Sequence, residues 1–283
     1  MNLFDIFSEI ETKDPEGYEQ LTHRRDILKK FTGKAGKIAM TALPFAIGSL
    51  FENAYGGSGP STSTVVGILN YALTLEYMEQ GFYYKGLQSK TLIPDTLQYD
   101  TFITIRTHEE EHVAFLQTAI RSLGSTPVPS PVFDYTAGSG SGNGPLADVF
   151  TNYETFLDLA QVFEDTGVRA YKGQAAALVG GGALLTAALN IHSVEARHAS
   201  AIRQLRYANA FATVKPWITL GDPGISSAFN TEYGGEQNLI QAGVNIVDIN
   251  GFNVNDEAAS EAFDEPLSST RIHNIIAPFI ATS

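Results

Sequence analysis

Two copies of one short motif constrain the fold of this chain more than any other feature. Glu109 stands three residues before His112, and Glu195 stands three residues before His198. Residues i and i+3 of an α-helix are neighbours on one face, so each pair places a carboxylate beside an imidazole. Each motif also lies in the middle of a long segment whose apolar residues recur at helical spacing. The sequence therefore predicts long helices that carry polar pairs on otherwise apolar faces.

Four segments of the chain have this helical periodicity. They span about residues 63–89, 97–123, 146–177 and 183–210. Short breaks at Ile93-Pro94 and at Gly180–Gly182 separate the members of each pair, whereas a long stretch rich in Pro, Gly and Ser, residues 125–144, separates the pairs. This arrangement is typical of a four-helix bundle with one long crossover. We therefore predict an all-α fold over residues 61–213, followed by a largely irregular extension over 214–283. The extension is predicted to contain a short helix through Ala258–Phe263 and helical structure again after Ser268.

The faces that meet inside such a bundle can be traced by steps of alternately three and four residues. The four seams are Val65, Leu69, Ala72, Glu76, Glu79, Tyr83, Gly86; Phe102, Ile105, Glu109, His112, Leu116, Ala119, Leu123; Phe150, Tyr153, Leu157, Ala160, Glu164, Gly167, Tyr171; and Leu184, Ala188, Ile191, Glu195, His198, Ile202, Leu205. Each seam is apolar, small or aromatic except near its middle, where carboxylates occur in all four. Buried ionised carboxylates are strongly unfavourable unless another charge compensates them.

Two divalent metal ions would compensate this layer, because four carboxylates and two imidazoles suit such ions as ligands. The predicted metal ligands are Glu76, Glu109, His112, Glu164, Glu195 and His198. A weak internal repeat supports this choice. Leu69, Ala72, Glu76 and Tyr83 match Leu157, Ala160, Glu164 and Tyr171 in identity and spacing.

Three further residues are candidates for a place beside the metals. Glu79 also lies in the first seam, but its counterpart in the repeat is Gly167, so Glu76 is the better ligand. Glu79 either lies beside the site or reaches solvent at the bundle edge, and we favour the site. Tyr83 and Tyr171 stand two turns beyond their seam glutamates, although packing is the commoner role of a tyrosine in a seam.

A zinc protease is an alternative, because residues 108–112 form an H-E-x-x-H motif. That site needs His108 and His112 on one metal, Glu109 as the base and a third ligand downstream. His108 lies off the seam, and V-A-F-L follows His112 where the extended protease motif has a glycine and a third histidine. We therefore expect His108 at the surface or beside the site, and not on a metal.

The order of the six candidate ligands resembles that of the ferritin-like superfamily, the di-iron and di-manganese carboxylate proteins. The stretches L-N-Y-A-L-T-L-E-Y-M-E, T-H-E-E-E-H-V-A-F-L, V-F-E-D-T-G-V-R-A-Y and E-A-R-H, and the tail E-A-F-D-E-P-L, look more closely like bacterial ferritin-like-domain proteins related to plant desiccation-related proteins. The resemblance covers about residues 64–213 and 257–281. It implies that Glu109 and Glu195 bridge both metals, whereas Glu76 with His112, and Glu164 with His198, each serve one.

This resemblance also implies a cofactor and a chemistry. Manganese catalases of the superfamily lack the full second E-x-x-H, so the complete set here favours two iron ions, with manganese or a mixed manganese–iron pair as the alternative. The implied function is redox chemistry with O₂ or peroxide, of the ferroxidase or oxidase type and related to stress. A non-catalytic protein that holds metal or has a structural role is the alternative. The resemblance is also compatible with a homo-oligomer.

Composition limits the partners of the chain. Its 283 residues carry a net charge of −13, which disfavours binding to nucleic acid. The chain has no cysteine, so histidines and carboxylates are its strong metal ligands. It also has no apolar run long enough for a stable membrane span.

The N-terminal residues 1–60 are predicted to be a leader and a linker. Basic residues between Arg24 and Lys37 precede an apolar run, Ile38–Phe51, in the order of an export signal. The stretch T-H-R-R-D-I-L-K-K resembles the twin-arginine signal of bacteria. This predicts a periplasmic or extracellular protein. The alternative is a basic amphipathic helix that packs on the domain of a cytoplasmic protein.

Overall fold

The computed structural model describes residues 61–221, 224–225 and 232–281, so the predicted leader and linker, residues 1–60, lie outside the described residues. The described part is mainly helical, which confirms the predicted fold class. Its four long helices are α1 Thr62–Gln88, α2 Thr96–Ser122, α3 Tyr153–Ala175 and α4 Ala183–Ala208. Within the described ranges, no helix combines the length and the apolar character that crossing a membrane requires.

Side-chain caps fix where three of these helices begin. The side chains of Ser61, Asp95 and Asn152 each accept a hydrogen bond from a backbone N–H in the first turn of α1, α2 and α3. The predicted start of the third helix near residue 146 is wrong, because turns occupy residues 146–151 and the Asn152 cap starts α3. Phe150 therefore precedes the helix, although its ring still packs against the core.

The helices pack as two pairs, α1 with α2 and α3 with α4, and α1 also contacts α3 while α2 contacts α4. Short connections join the members of each pair, and residues 123–152 form the long crossover between the pairs. Aromatic rings fill one end of the bundle, where Phe82 stacks on Phe156 at a centroid distance of 4.7 Å. This packing places the middle of each seam in the bundle interior.

The C-terminal extension contains little regular structure, as predicted. It has a hairpin of two antiparallel two-residue strands, β1 Ile240–Gln241 and β2 Val244–Asn245. It also has the short helices α5 Asp256–Ser260 and α6 Ser269–Ile276. The prediction of a helix through Ala258–Phe263 is wrong at its end. The chain leaves the helix after Ser260 and lies along α3, where the Leu267 N–H donates to the Arg169 carbonyl at 3.1 Å.

Buried arginines fix this extension to the bundle. The two terminal guanidinium nitrogens of Arg203 on α4 donate to Asp165 on α3, at 2.9 and 2.5 Å. The Tyr233 hydroxyl of the extension donates to the same carboxylate at 2.6 Å. Arg169 on α3 donates to three carbonyl oxygens of the extension, those of Glu232, Gly234 and Glu265. The extension is therefore part of the same packed structure as the helices, an arrangement that seam periodicity alone does not predict.

Candidate metal centre

The six predicted ligands lie together in one layer at the middle of the bundle, and all six are buried. Their ligand atoms form two groups in which all atoms lie within 4.8 Å of one another. The first group is Glu76, Glu109, His112 and Glu195, and the second is Glu109, Glu164, Glu195 and His198. Glu109 and Glu195 belong to both groups. The buried cluster is therefore compatible with a di-metal site.

The histidines of both motifs turn the same ring nitrogen towards the carboxylates. In the first group, Nδ1 of His112 lies 3.0 Å from Glu76 Oε2, 3.0 Å from Glu109 Oε2 and 3.2 Å from Glu195 Oε1. In the second group, Nδ1 of His198 lies 2.8 Å from Glu109 Oε1 and 3.1 Å from Glu164 Oε2. Each imidazole therefore faces a space that is surrounded by carboxylate oxygens.

Glu195 provides a test of whether these residues suit metal ions. Its side chain is fully buried, yet neither of its carboxylate oxygens accepts a hydrogen bond of good geometry. Buried polar atoms without a partner are rare and unfavourable, and a role as metal ligands is one physical explanation of such atoms. Four buried glutamates carry four negative charges when ionised, which two divalent cations neutralise. The donor set therefore fits two hard or intermediate divalent metals.

Tyr83 and Tyr171 connect the two halves of the bundle. The Tyr83 hydroxyl on α1 donates to Oε1 of Glu164 on α3, and the Tyr171 hydroxyl on α3 donates to Oε1 of Glu76 on α1. Each tyrosine thus holds the outer glutamate that belongs to the other half of the internal repeat. Both predicted tyrosines lie beside the candidate site.

Glu79 is buried beside the layer and does not reach solvent. Its neighbour on α3 is Gly167, where an added Cβ atom would lie 2.9 Å from Glu195 Oε2 and 3.2 Å from Glu79 Oε1. Real Cβ atoms essentially never approach another atom to under 3.0 Å. The absence of a side chain at Gly167 therefore leaves the room that Glu79 and Glu195 occupy.

Burial raises the pKa of several glutamates in the layer. It raises the pKa of Glu109 to about 7. It also raises the pKa of Glu195 far above the usual value, with the charge of Glu109 as the next cause. The pKa of Glu79 rises for the same reasons, burial first and the charge of Glu195 second. Without metal, part of the layer therefore carries protons at neutral pH.

The residues that belong to only one of the two groups favour their charged forms instead, as Glu76 and His198 show. Burial raises the pKa of Glu76, but the charge and hydrogen bond of His112 outweigh burial and hold it below its usual value. Burial lowers the pKa of His198, but the charge of Glu164 and the hydrogen bonds with Glu109 and Glu164 outweigh burial and raise it to about 11. Protons on imidazoles thus compensate the carboxylates in the metal-free protein, and a bound metal must displace them.

His108 lies beside the centre and belongs to neither group. Its Nδ1 atom lies 2.9 Å from Nε2 of His198, and the two ring planes are within 9° of parallel. The zinc-protease alternative requires His108 as a ligand together with His112, which the two groups do not provide. The sequence places His108 off the seam but gives no sign of its contact with His198, because that contact joins α2 to α4.

A mostly apolar pocket lies next to the layer, one helical turn away. Its lining includes Ala72, Leu116 and Ile191, which stand four residues from Glu76, His112 and Glu195 respectively. Tyr171 also lines the pocket while its hydroxyl contacts Glu76. The seams predict apolar residues here, but they do not predict that a space remains between them.

Comparison with known proteins agrees with this fold. A family model described as a ferritin-like domain matches residues 64–208, just over half of the chain. The protein therefore belongs to the ferritin-like domain family. No curated protein matches the chain.

Proposed function

We propose that this protein binds two iron ions and carries out redox chemistry with O₂ or peroxide, of the ferroxidase or oxidase type. The observation that carries the proposal is Glu195, a fully buried carboxylate that is shared by both candidate ligand groups and whose oxygens accept no hydrogen bond of good geometry. A structural role alone gives no reason to keep such a group in the core. Manganese, or a mixed manganese–iron pair, is the alternative content of the site.

The residues have separate roles in this proposal. Glu109 and Glu195 bridge the two positions, Glu76 and His112 bind one metal, and Glu164 and His198 bind the other. Tyr83 and Tyr171 orient the outer glutamates through their hydroxyl groups. Two bound iron ions would supply the electrons that reduce O₂ or peroxide.

The surroundings of the layer support a small oxidant. The apolar pocket beside Tyr171 suits O₂, which is small and apolar. Buried side chains enclose the rest of the layer, so bulk water is excluded from the buried carboxylates. This favours O₂ or peroxide over a large polar substrate.

Anaerobic loading with Fe²⁺, followed by addition of O₂, tests this function. We expect oxygen uptake and a ferric absorbance band in the wild-type protein and in Glu111→Ala, whose exposed side chain lies outside both groups. Glu195→Ala should lose both signals. Retention of two metals per chain without oxygen or peroxide consumption would instead favour the second candidate, a protein that only holds metal.

Export and a link to stress are parts of the proposal that rest on the sequence alone. The paired Arg24 and Arg25 followed by an apolar run support export, and the resemblance to desiccation-related proteins supports a stress role. Replacement of both arginines by lysine in the bacterial host should keep the protein in the cytoplasm. An unchanged periplasmic or extracellular fraction would contradict the twin-arginine signal.

A further inference from the structure

The two halves of the candidate centre differ at one position outside the six predicted ligands. His112 and His198 both turn Nδ1 towards carboxylates. Their outer nitrogens differ, however. Nε2 of His198 lies 2.9 Å from Nδ1 of His108, whereas Nε2 of His112 has no hydrogen-bond partner among the described residues.

The internal repeat shows the origin of this difference. His108 stands four residues before His112 on α2, and it contacts the imidazole of the opposite half on α4. The residue that stands four before His198 on α4 is Val194. A valine side chain has no atom that accepts a hydrogen bond. Of these two matching positions, His108 therefore supplies a hydrogen-bond partner to Nε2 of His198, whereas Val194 cannot supply one to Nε2 of His112.

The contact between His108 and His198 has the geometry of a metal-supporting hydrogen bond. A neutral imidazole that binds a metal through Nδ1 carries its proton on Nε2. His198 then donates from Nε2 to Nδ1 of His108, and the nearly parallel ring planes allow the acceptor lone pair to point at the donor. Such a partner fixes the tautomer and the ring orientation, and its removal typically lowers metal affinity about 10–100-fold.

We infer that His108 is a positioning residue that makes the two metal sites unequal. It holds His198 ready for metal, so the Glu164–His198 half binds a divalent ion more tightly and fills first. The Glu76–His112 half lacks this support and fills second. This inference rests on the proposed di-metal function. It adds an order of metal loading, which the identity of the six ligands alone does not determine.

Anaerobic calorimetric titration of the metal-free full chain with Mn²⁺ tests the inference. Wild type should show two binding steps whose dissociation constants differ by about 10–100-fold. Glu164→Ala should remove the tighter step, whereas Glu76→Ala should retain it. His108→Ala should weaken the tighter step alone, by about the same 10–100-fold. His108→Gln should restore part of the affinity, because its side-chain oxygen still accepts a hydrogen bond.

Two further variants separate positioning from a general loss of structure. His192→Ala removes a histidine of α4 that is half-buried, as His108 is on α2, and that belongs to neither ligand group. It should leave both binding steps unchanged. The match of positions 108 and 194 predicts that Val194→His supplies a partner to His112 and tightens the weaker step.

Three results would overturn the inference while leaving two-metal binding intact. They are equal affinities of the two wild-type sites, equal weakening of both steps in His108→Ala, and loss of the tighter step in Glu76→Ala with its retention in Glu164→Ala. Uptake of no Mn²⁺ or Fe²⁺ by the wild type would overturn the proposed function as well, so the two failures are distinguishable.

Discussion

Replacement of Arg169 by methionine should release the C-terminal extension from the bundle. Arg169 is almost fully buried on α3, and its guanidinium donates to the carbonyls of Glu232, Gly234 and Glu265. Its Nε atom also lies 2.6 Å from the buried carboxylate of Glu236. Removal of one partner of a buried ion pair typically costs about 3–5 kcal/mol, because the other charge stays buried and unpaired. Several carbonyl oxygens lose their donor at the same time, so we expect a loss of about 3–5 kcal/mol in the free energy of unfolding.

Urea unfolding of the metal-free protein measures this loss, and limited proteolysis locates it. We expect Arg169→Met to expose the extension to cleavage before the four helices. Arg121→Met is the matched control, because Arg121 is exposed on α2 and donates to Gln117 one turn away, so its cost should stay within about 0.5 kcal/mol. A loss below about 1 kcal/mol in Arg169→Met, or cleavage that begins within α1 to α4, would refute the role of Arg169 in holding the extension on the bundle.

Three further predictions concern the site and the crossover. Gly167→Ala should lower metal occupancy in elemental analysis, because the new Cβ atom would lie 2.9 Å from Glu195 Oε2. This loss should occur even though alanine is more favourable than glycine within a helix, by up to about 1 kcal/mol. Unchanged occupancy would show that the layer adapts. Metal binding should release protons from the layer, which calorimetry in buffers of different ionisation enthalpy detects as a buffer-dependent heat. Asp134→Asn should destabilise the crossover in a pH-dependent way. Hydrogen bonds, first that of the Thr136 hydroxyl and then those of backbone N–H groups, hold the pKa of Asp134 at about 2. A depressed folded pKa gives stability above the unfolded value of about 3.9, which is lost as pH falls towards 2. The difference between wild type and Asp134→Asn in urea unfolding should therefore shrink over that range, and a constant difference would contradict the assignment.

Helical periodicity was sufficient to predict the bundle and its central layer. The apolar steps of three and four residues depend on local spacing, which a sequence states directly, so the seam residues around Glu76, Glu109, Glu164 and Glu195 are buried as expected. The predicted start of a helix is wrong where a capping residue, and not the apolar periodicity, determines where the helix begins. Apolar residues continue back to residue 146, but the Asn152 cap and the turns before it start α3 later.

Contacts between distant segments were not predictable from spacing. Arg169 and Arg203 look like ordinary charged helix residues, and their burial depends on an extension that covers them. The contact of His108 with His198 likewise depends on how α2 and α4 approach each other. The repeat gave the two tyrosines equivalent positions, but it did not predict the contact of Tyr83 with Glu164 on the other helix pair. Such long-range contacts carry no local periodicity, so the sequence pattern contained no signal for them.

Elemental analysis of the protein purified from its own host tests the central claim most directly. We expect two Fe, two Mn or one of each per wild-type chain, and the same content in Glu111→Ala, which changes an exposed acid next to the site. The variant that combines Glu109→Ala with Glu195→Ala removes both shared carboxylates and should contain almost no metal. A metal-free wild type, or full metal content in the double variant, would contradict the di-metal centre.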